Sequence, residues 1–378
     1  RCARTIPQST RTPLWYRRPV SGTNQRSTRE TRRRFEQWAR NPQCHANVVS
    51  AVHNVKMGAV ARRENPSAPR EGQSVFALAR GRTFEDGLVR DGGERLLDAL
   101  VRADVISEKS SDFVDHRTSA NGGSLVDLDD AVRCGHDFLT TLAEGRRFDG
   151  VVSSLTVRIP RGIMLPEAIL IIDVLAVQTS GSMPVIAVGE IKTYADQGGH
   201  TGRHDLASAR AQMGLYVHAL DVTLAGLGLS DRIHVSRTGF LVLTYPGSNQ
   251  PSVRSGEDLT YQLARAERGF ELMEESAHLL DGQYGSGDDD DPDSLLDLVS
   301  HADTYFQDSC LTFCERAEYC YDRAREGGRG VVLGDDVEKF LNGVTLSRVD
   351  ELLAGVMPAT RAESDLLARL DDGLPELP

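Results

Sequence analysis

No apolar run in this 378-residue chain approaches the roughly 20 residues that a membrane-spanning helix needs. The N-terminus is Arg-rich and has no apolar h-region, so no secretory signal is read. These two absences exclude a membrane partner and lead us to expect a cytoplasmic protein. The chain also has no initiating Met: it opens on Arg1, which reads as a fragment or a miscalled start. No internal repeat is evident, which excludes solenoids and propellers, and no helicase motif is present. The six cysteines do not suggest a disulfide framework, because a long chain without a secretory signal belongs to a reducing compartment. The acidic run Asp288–Asp291 lacks the spacing and the later Glu of a calcium loop. The composition, 40% hydrophobic and 26% charged, suits a soluble globular protein. The length suits one large or two ordinary domains with a sizeable core.

The charge is unevenly distributed. The net formal charge is −12, yet residues 1–40 carry eleven Arg against Glu30 and Glu36. The acid is concentrated around Asp288–Asp291 and in the C-terminal tail. A basic arm on an acidic body is compatible with contact to backbone phosphates, or with a disordered arm that has no specific partner.

Residues 1–30 read as a disordered basic arm, and residues 31–73 as a helical segment broken by Pro42 near Cys44. Residues 74–280 read as the main α/β body. Within it, Ser74–Ala103 has a helical stripe that Gly92-Gly93 bends or splits, and Val105–Gly123 is irregular. A helix follows at Ser124–Glu144, then strands at Gly150–Ile159, Ala168–Val177 and Val185–Ile191. Asp205 is the expected N-cap of a helix to Leu224. A strand at Gly239–Thr244 and a helix at Glu257–Leu280 complete the body. Residues 281–294 read as an acidic linker, 295–330 as a Cys-rich helical segment, and 331–378 as further helix ending in an acidic tail. The fold expected is α/β, with a mixed central sheet flanked by helices and with helical N- and C-terminal segments.

Polar residues interrupt the second and third strands where strands usually shun them. Asp173 sits inside the apolar run Ala168–Val177, and Glu190 and Lys192 share one face of Val185–Ile191 because strand side chains alternate. The turn formers Thr179-Ser-Gly-Ser-Met-Pro184 allow a hairpin that sets Asp173 beside Glu190. Two carboxylates suit Mg²⁺ or Mn²⁺, which prefer oxygen ligands and keep several waters. The carbonyl of Ile191, between Glu190 and Lys192, could complete the inner shell. A metal there would acidify a bound water and offset charge on a phosphate. Lys192 would position that water. Set against this, strand-end carboxylates are usually solvated, and a lone D…ExK match arises by chance.

Further candidates flank this pair. Gln212 and Tyr216, four apart, neighbour one another on a helix; they could hold a phosphate or a base, or form an ordinary polar edge. Gly81-Arg-Thr-Phe-Glu85 puts a carboxylate on the first long helix, where Glu85 could reach a metal or remain solvated. Arg203 and Arg210 could contact phosphates. Cys310, Cys314 and Cys320 fall within eleven residues, a clustering that suggests metal or cluster binding. Cys134 reads as a core thiol.

Taken in order, Gly81-xxx-Glu85, Asp173, Glu190-Ile-Lys192 and Gln212-xxx-Tyr216 resemble the motifs of PD-(D/E)xK nucleases of the RecB-like branch. The resemblance spans about residues 31–325. It implies a restriction-endonuclease-like core in which Asp173 and Glu190 bind metal, Lys192 is catalytic, and Gln212 and Tyr216 line the site. Many members have His where Glu85 stands, which opens the question of metal preference, and no Pro directly precedes Asp173. Some members, the AddB subunit and CRISPR-associated exonucleases among them, carry one Cys before the core and three after it, holding a 4Fe–4S cluster. Here these would be Cys44, Cys310, Cys314 and Cys320, with Cys2 as a rival fourth ligand. Zinc at the same four sulfurs, or unliganded thiols, are the alternatives. The resemblance thus implies a metal-dependent DNA nuclease, an exonuclease acting on single-stranded DNA or duplex ends in repair or defence, with partner proteins of such a complex. A non-catalytic nucleic-acid-binding subunit and a zinc-stabilised interaction protein are the competing readings.

Overall fold

The computed structural model describes residues 35–373, except 36–37, 40, 54, 67–74, 117–127, 160–167, 285–290, 308–309 and 312–313. The expected basic arm with Cys2, and Asp288 to Asp290 of the acidic run, lie outside the described residues. The chain divides into two compact units. One comprises residues 1–35 with 72–275, the other residues 36–71 with 276–378.

Two short helices, α1 (His45–Val52) and α2 (Met57–Glu64), belong to the second unit. The first unit starts with α3 (Val75–Val89), a 3₁₀ turn at Arg90–Gly93, and α4 (Glu94–Arg102). The expected break falls at Gly92-Gly93, where Asp91, Gly92 and Gly93 all have positive φ. A Cβ on Gly93 would stand 2.3 Å from the Phe113 ring, so the break also needs glycine for space. Then follow β1 (Asp112–Asp115), α5 (Leu128–Ala143), β2 (Gly150–Ile159), β3 (Ala168–Gln178) and β4 (Val185–Ala195). The unit continues with α6 (Arg203–Gly226), β5 (His234–Val235), β6 (Thr238–Thr244) and β7 (Pro251–Asp258), and with most of α7 (Thr260–Tyr284).

The strands form one mixed sheet in the order β1-β2-β3-β4-β6-β7, with β5 also paired to β4. β2–β3, β3–β4 and β6–β7 are antiparallel; β1–β2, β4–β5 and β4–β6 are parallel. This is the expected α/β fold with a mixed sheet flanked by helices. Phe84, Leu88, Leu96 and Leu100 of α3 and α4 pack with Val174, Ile191, Phe240 and Val242, covering one sheet face. Burial at this density removes on the order of 1.5–3 kcal/mol worth of apolar surface from water per side chain. α5 and α6 also pack on the sheet.

The second unit is helical. It holds the end of α7, then α8 (Pro292–His301), α9 (Ala317–Glu326), a 3₁₀ turn at Gly330–Leu333, α10 (Asp335–Leu341), α11 (Leu346–Leu353) and α12 (Arg361–Gly373). Leu341, Val344, Leu352 and Leu366 form its C-terminal core.

Several boundaries differ from the sequence expectation. β1 occupies part of the stretch read as irregular, and β7 takes the first residues assigned to the helix at Glu257. The linker expected over 281–294 is shorter: α7 runs to Tyr284, and Asp291 is the N-cap of α8, accepting from the Asp293 N–H at 3.0 Å. The helix after the strands starts at Arg203, so Asp205 sits in its first turn rather than at its cap. There its charge still complements the helix dipole. Residues 361–373, within the helix-and-tail segment read over 331–378, form α12. Cys134 is half-buried rather than a core thiol, because its neighbour Gly135 makes the contact with the sheet.

Gly135 is where α5 meets β2: a Cβ there would fall 2.3 Å from the Thr156 carbonyl oxygen, a main-chain atom that cannot move cheaply. Gly135→Ala therefore lowers stability by about 1–3 kcal/mol through overpacking, despite the better helix propensity of Ala. A thermal-unfolding midpoint at or above the wild-type value would show that α5 does not bear on β2 as described.

Candidate metal centres

Asp173 stands where the sheet comes apart. The β3–β4 ladder runs from Gln178↔Val185 to Val174↔Gly189 and stops one pair short of Asp173 and Glu190. On the other side, the β2–β3 ladder skips a pair between Ser153↔Val174 and Leu155↔Ile172, leaving Ser154 opposite Asp173 unpaired. Ser154 has φ 58°, rare for a residue with a side chain. β4 also shifts register against β6 after Ile191. Asp173 therefore lies in a gap of the main-chain ladder. It fills part of that gap itself, because its Oδ2 accepts the Ile191 N–H at 3.1 Å.

Five predicted residues meet at this gap. Strand alternation sends Val174 and Ile191 to the core under α3 and sends Asp173, Glu190 and Lys192 to the opposite face. Tyr216 of α6, fully buried, donates its hydroxyl hydrogen to Asp173 Oδ1 at 3.3 Å and accepts from Gln212 Nε2 at 2.6 Å. The Tyr216 hydroxyl also bonds the Glu190 carboxylate. Burial, then the nearby charges of Asp173 and Glu190, holds the Tyr216 phenol well above its usual pKa, so it stays protonated and serves as a hydrogen-bond donor. Glu190 is 0% exposed and forms an ion pair with Lys192, whose side chain is 23% exposed. A buried carboxylate is costly without a counter-charge, and Lys192 supplies one.

Other predicted residues are placed differently. Glu85 is half-buried on α3, next to Phe84, which packs in the core with Ile191. Ile191 contributes its N–H to Asp173 and its side chain to the core. Arg210 is engaged with the buried Glu257, which also accepts from Arg254 at 3.3 Å. Arg203 begins α6, and its side chain lies outside the described residues.

The cysteines form a second cluster, within the other unit. Cys44 precedes α1; Cys310 and Cys314 precede α9, and Cys320 lies on it. Each of the four lies within electrostatic reach of the other three. None of them is in a disulfide. Burial raises the Cys310 thiol pKa, lifts Cys314 to about 12 and lifts Cys320 to about 11. Opposing this, hydrogen-bond donors point at the sulfurs: the Gln307 N–H and Asn41 amide at Cys310, the Arg316 N–H at Cys314, and the Thr304 hydroxyl at Cys320. Arg316, 2% exposed, is held by Glu64 and by the carbonyls of Val299 and Ser300 at 3.3 and 2.8 Å. Its charge favours the thiolate of Cys320.

Among the described residues no group of three or more His, Cys, Asp or Glu side chains is gathered as a ready metal-holding group. The donor chemistry still fits both expected kinds of ligand. Magnesium-type sites commonly use one or two carboxylates, with water and substrate phosphate completing the shell, and Asp173 with Glu190 supply two. Four cysteines, three of them buried, with donors aimed at the sulfurs of Cys310, Cys314 and Cys320, fit thiolate ligation of iron–sulfur clusters or zinc. Comparison with protein-family models, curated proteins and solved structures finds no match.

The raised thiol pKa values carry a direct consequence. In the folded, metal-free protein at about pH 8, Cys314 and Cys320 stay protonated and alkylate slowly, whereas in denaturant they react at the rate of free thiols near their usual pKa. Peptide mapping after timed iodoacetamide treatment measures this, and equal rates in the two states would contradict the burial described.

Proposed function

We propose that this protein is a metal-dependent deoxyribonuclease of the PD-(D/E)xK type, resembling the RecB-like branch, whose four cysteines hold a 4Fe–4S cluster. The observation that carries the reading is the hydrogen-bonded group formed by Asp173, Glu190, Lys192, Gln212 and Tyr216 at a gap in the sheet ladder. A chance D…ExK match gives no reason for Tyr216, 43 positions after Asp173, to bond the same carboxylate.

In this reading Asp173 and Glu190, with the Ile191 carbonyl, would hold Mg²⁺ or Mn²⁺. When bound, the ion supplies Lewis acidity, lowering the pKa of water and offsetting charge on the scissile phosphate. Lys192 orients the attacking water and balances the negative charge that develops at phosphorus. Tyr216 keeps its proton and fixes the Asp173 carboxylate; Gln212 fixes Tyr216 in turn. As the water oxygen adds to phosphorus, the phosphorus–oxygen bond to the leaving nucleotide breaks; the water gives up a proton to solvent and the leaving oxygen takes one from solvent. Arg203, at the start of α6, is the candidate phosphate contact, since Arg210 is engaged with Glu257.

Cys44, Cys310, Cys314 and Cys320 would ligate the cluster in a structural role, tying the segment before α1 to the segment around α9. By resemblance the substrate is single-stranded DNA or a duplex end, the action exonucleolytic and the setting repair or defence, with partner proteins of such a complex.

End-labelled single- and double-stranded DNA tests this with Mg²⁺ or Mn²⁺, comparing anaerobically purified protein with Lys192→Ala. The expected result is metal-dependent cleavage that the substitution reduces by about 10²-fold or more. Cleavage unchanged by the substitution, or none by either protein, contradicts the proposal.

A further inference from the structure

Asn41 lies three positions before Cys44 and is 1% exposed. Its side-chain Nδ2 donates to the Tyr305 carbonyl at 2.5 Å and to Cys310 Sγ at 3.3 Å. Its own main-chain carbonyl accepts the Cys44 N–H at 3.3 Å and the Asn47 side chain at 3.5 Å. One residue thus joins the segment of the first cysteine to that of the second, 269 positions further on. A carbonyl oxygen can only accept, so Tyr305 dictates that the NH₂ end of the amide faces Cys310. The other end, Oδ1, is buried and has no hydrogen-bond partner among the described residues. An unmet buried acceptor is costly, and the fold tolerates it while keeping both N–H bonds in place.

An N–H aimed at sulfur contributes little to a neutral thiol and more to a thiolate, because charge strengthens the acceptor. Its contribution grows again when a cluster takes up an electron and the sulfurs become more negative. Hydrogen bonds to the sulfurs are among the features that set cluster potential. Among the described residues, Asn41 is the donor to this cysteine group whose side chain comes from the Cys44 segment.

We infer that Asn41 is a positioning residue of the four-cysteine site, aligning Cys44 with Cys310 and donating an N–H···S bond that favours the reduced form of the cluster. The inference rests on the cluster reading of Cys44, Cys310, Cys314 and Cys320 proposed above.

The test uses the full chain, purified anaerobically and reconstituted with iron and sulfide. Wild type is compared with Asn41→Leu, which nearly keeps the volume without a donor, and with Asn41→Asp, which keeps the shape but presents only acceptors. Ser50→Ala, a buried hydroxyl that bonds the Asn47 carbonyl at 3.0 Å, controls for general loosening of the unit. The readouts are iron and sulfide per chain, the visible absorption band and the midpoint potential.

We expect wild type and Ser50→Ala to bind about four iron atoms at one potential. Asn41→Leu should shift to a lower potential by on the order of tenfold in the redox equilibrium, about 59 mV for one electron. Asn41→Asp should load poorly or shift further in the same direction, and it carries the test if Asn41→Leu is insoluble. If both variants load fully at the wild-type potential, Asn41 has no such role while the cluster stands. If wild type takes up no iron and sulfide, the cluster reading fails and this inference falls with it.

Discussion

The Ile191 N–H leaves the sheet ladder and donates to a side chain, Asp173, instead of a main-chain carbonyl. Much of the first unit follows from that substitution. A main-chain N–H buried in a sheet must find an acceptor, so a carboxylate here serves the fold and the site at once. Because the β3–β4 ladder ends at Val174↔Gly189, Asp173 and Glu190 stand side by side without a ladder pair between them, while Glu190 stays paired with Leu241 of β6. Their positions come from α6 through Tyr216 and from Lys192 on the same strand. The Ser154 backbone, held at positive φ opposite Asp173, belongs to the same break. Strain of this kind persists only where the surroundings over-determine it.

One buried carboxylate, Glu190, and one half-buried carboxylate, Asp173, share a sheet face with a single lysine, Lys192. Glu190 is paired with Lys192, while Asp173 accepts from the Ile191 N–H and the Tyr216 hydroxyl. In the reading proposed above, a divalent cation would sit between these two carboxylates. The cysteine group poses the mirror problem. Burial pushes Cys314 and Cys320 towards the neutral thiol, while several donors and Arg316 favour thiolate. Neutral thiols have little use for those donors; ligating thiolates do.

The elements of the site were legible in the sequence where a short period places them. Alternation puts Glu190 and Lys192 on one face, and the four-residue helical step pairs Gln212 with Tyr216. The central strands and α5 were readable from their apolar runs. The edge strands were not: β1 is four residues long with Asp at each end, and β7 starts at Pro251 and contains Gly256, residues that argue against a strand except at an edge. α12 was hidden by its acidic residues, although Leu366 packs in a core. Ser154 leaves no trace in sequence, since nothing local distinguishes a serine held at positive φ from an ordinary strand serine. Composition likewise cannot separate an arginine that awaits a phosphate from one that, like Arg210, holds a buried glutamate. The gathering of Cys44 with Cys310, Cys314 and Cys320 depends on tertiary structure and was expected only from family resemblance.

The central claim is that Asp173 and Glu190 form a divalent-cation site where the ladder opens. Titration of the purified chain with Mn²⁺, followed by the loss of the free-ion electron paramagnetic resonance signal, tests it without relying on a substrate. The account predicts a saturable site in the wild-type chain that Asp173→Asn and Glu190→Gln each abolish while the fold, checked by circular dichroism, persists. Mn²⁺ binding of equal strength in wild type and both variants would contradict it.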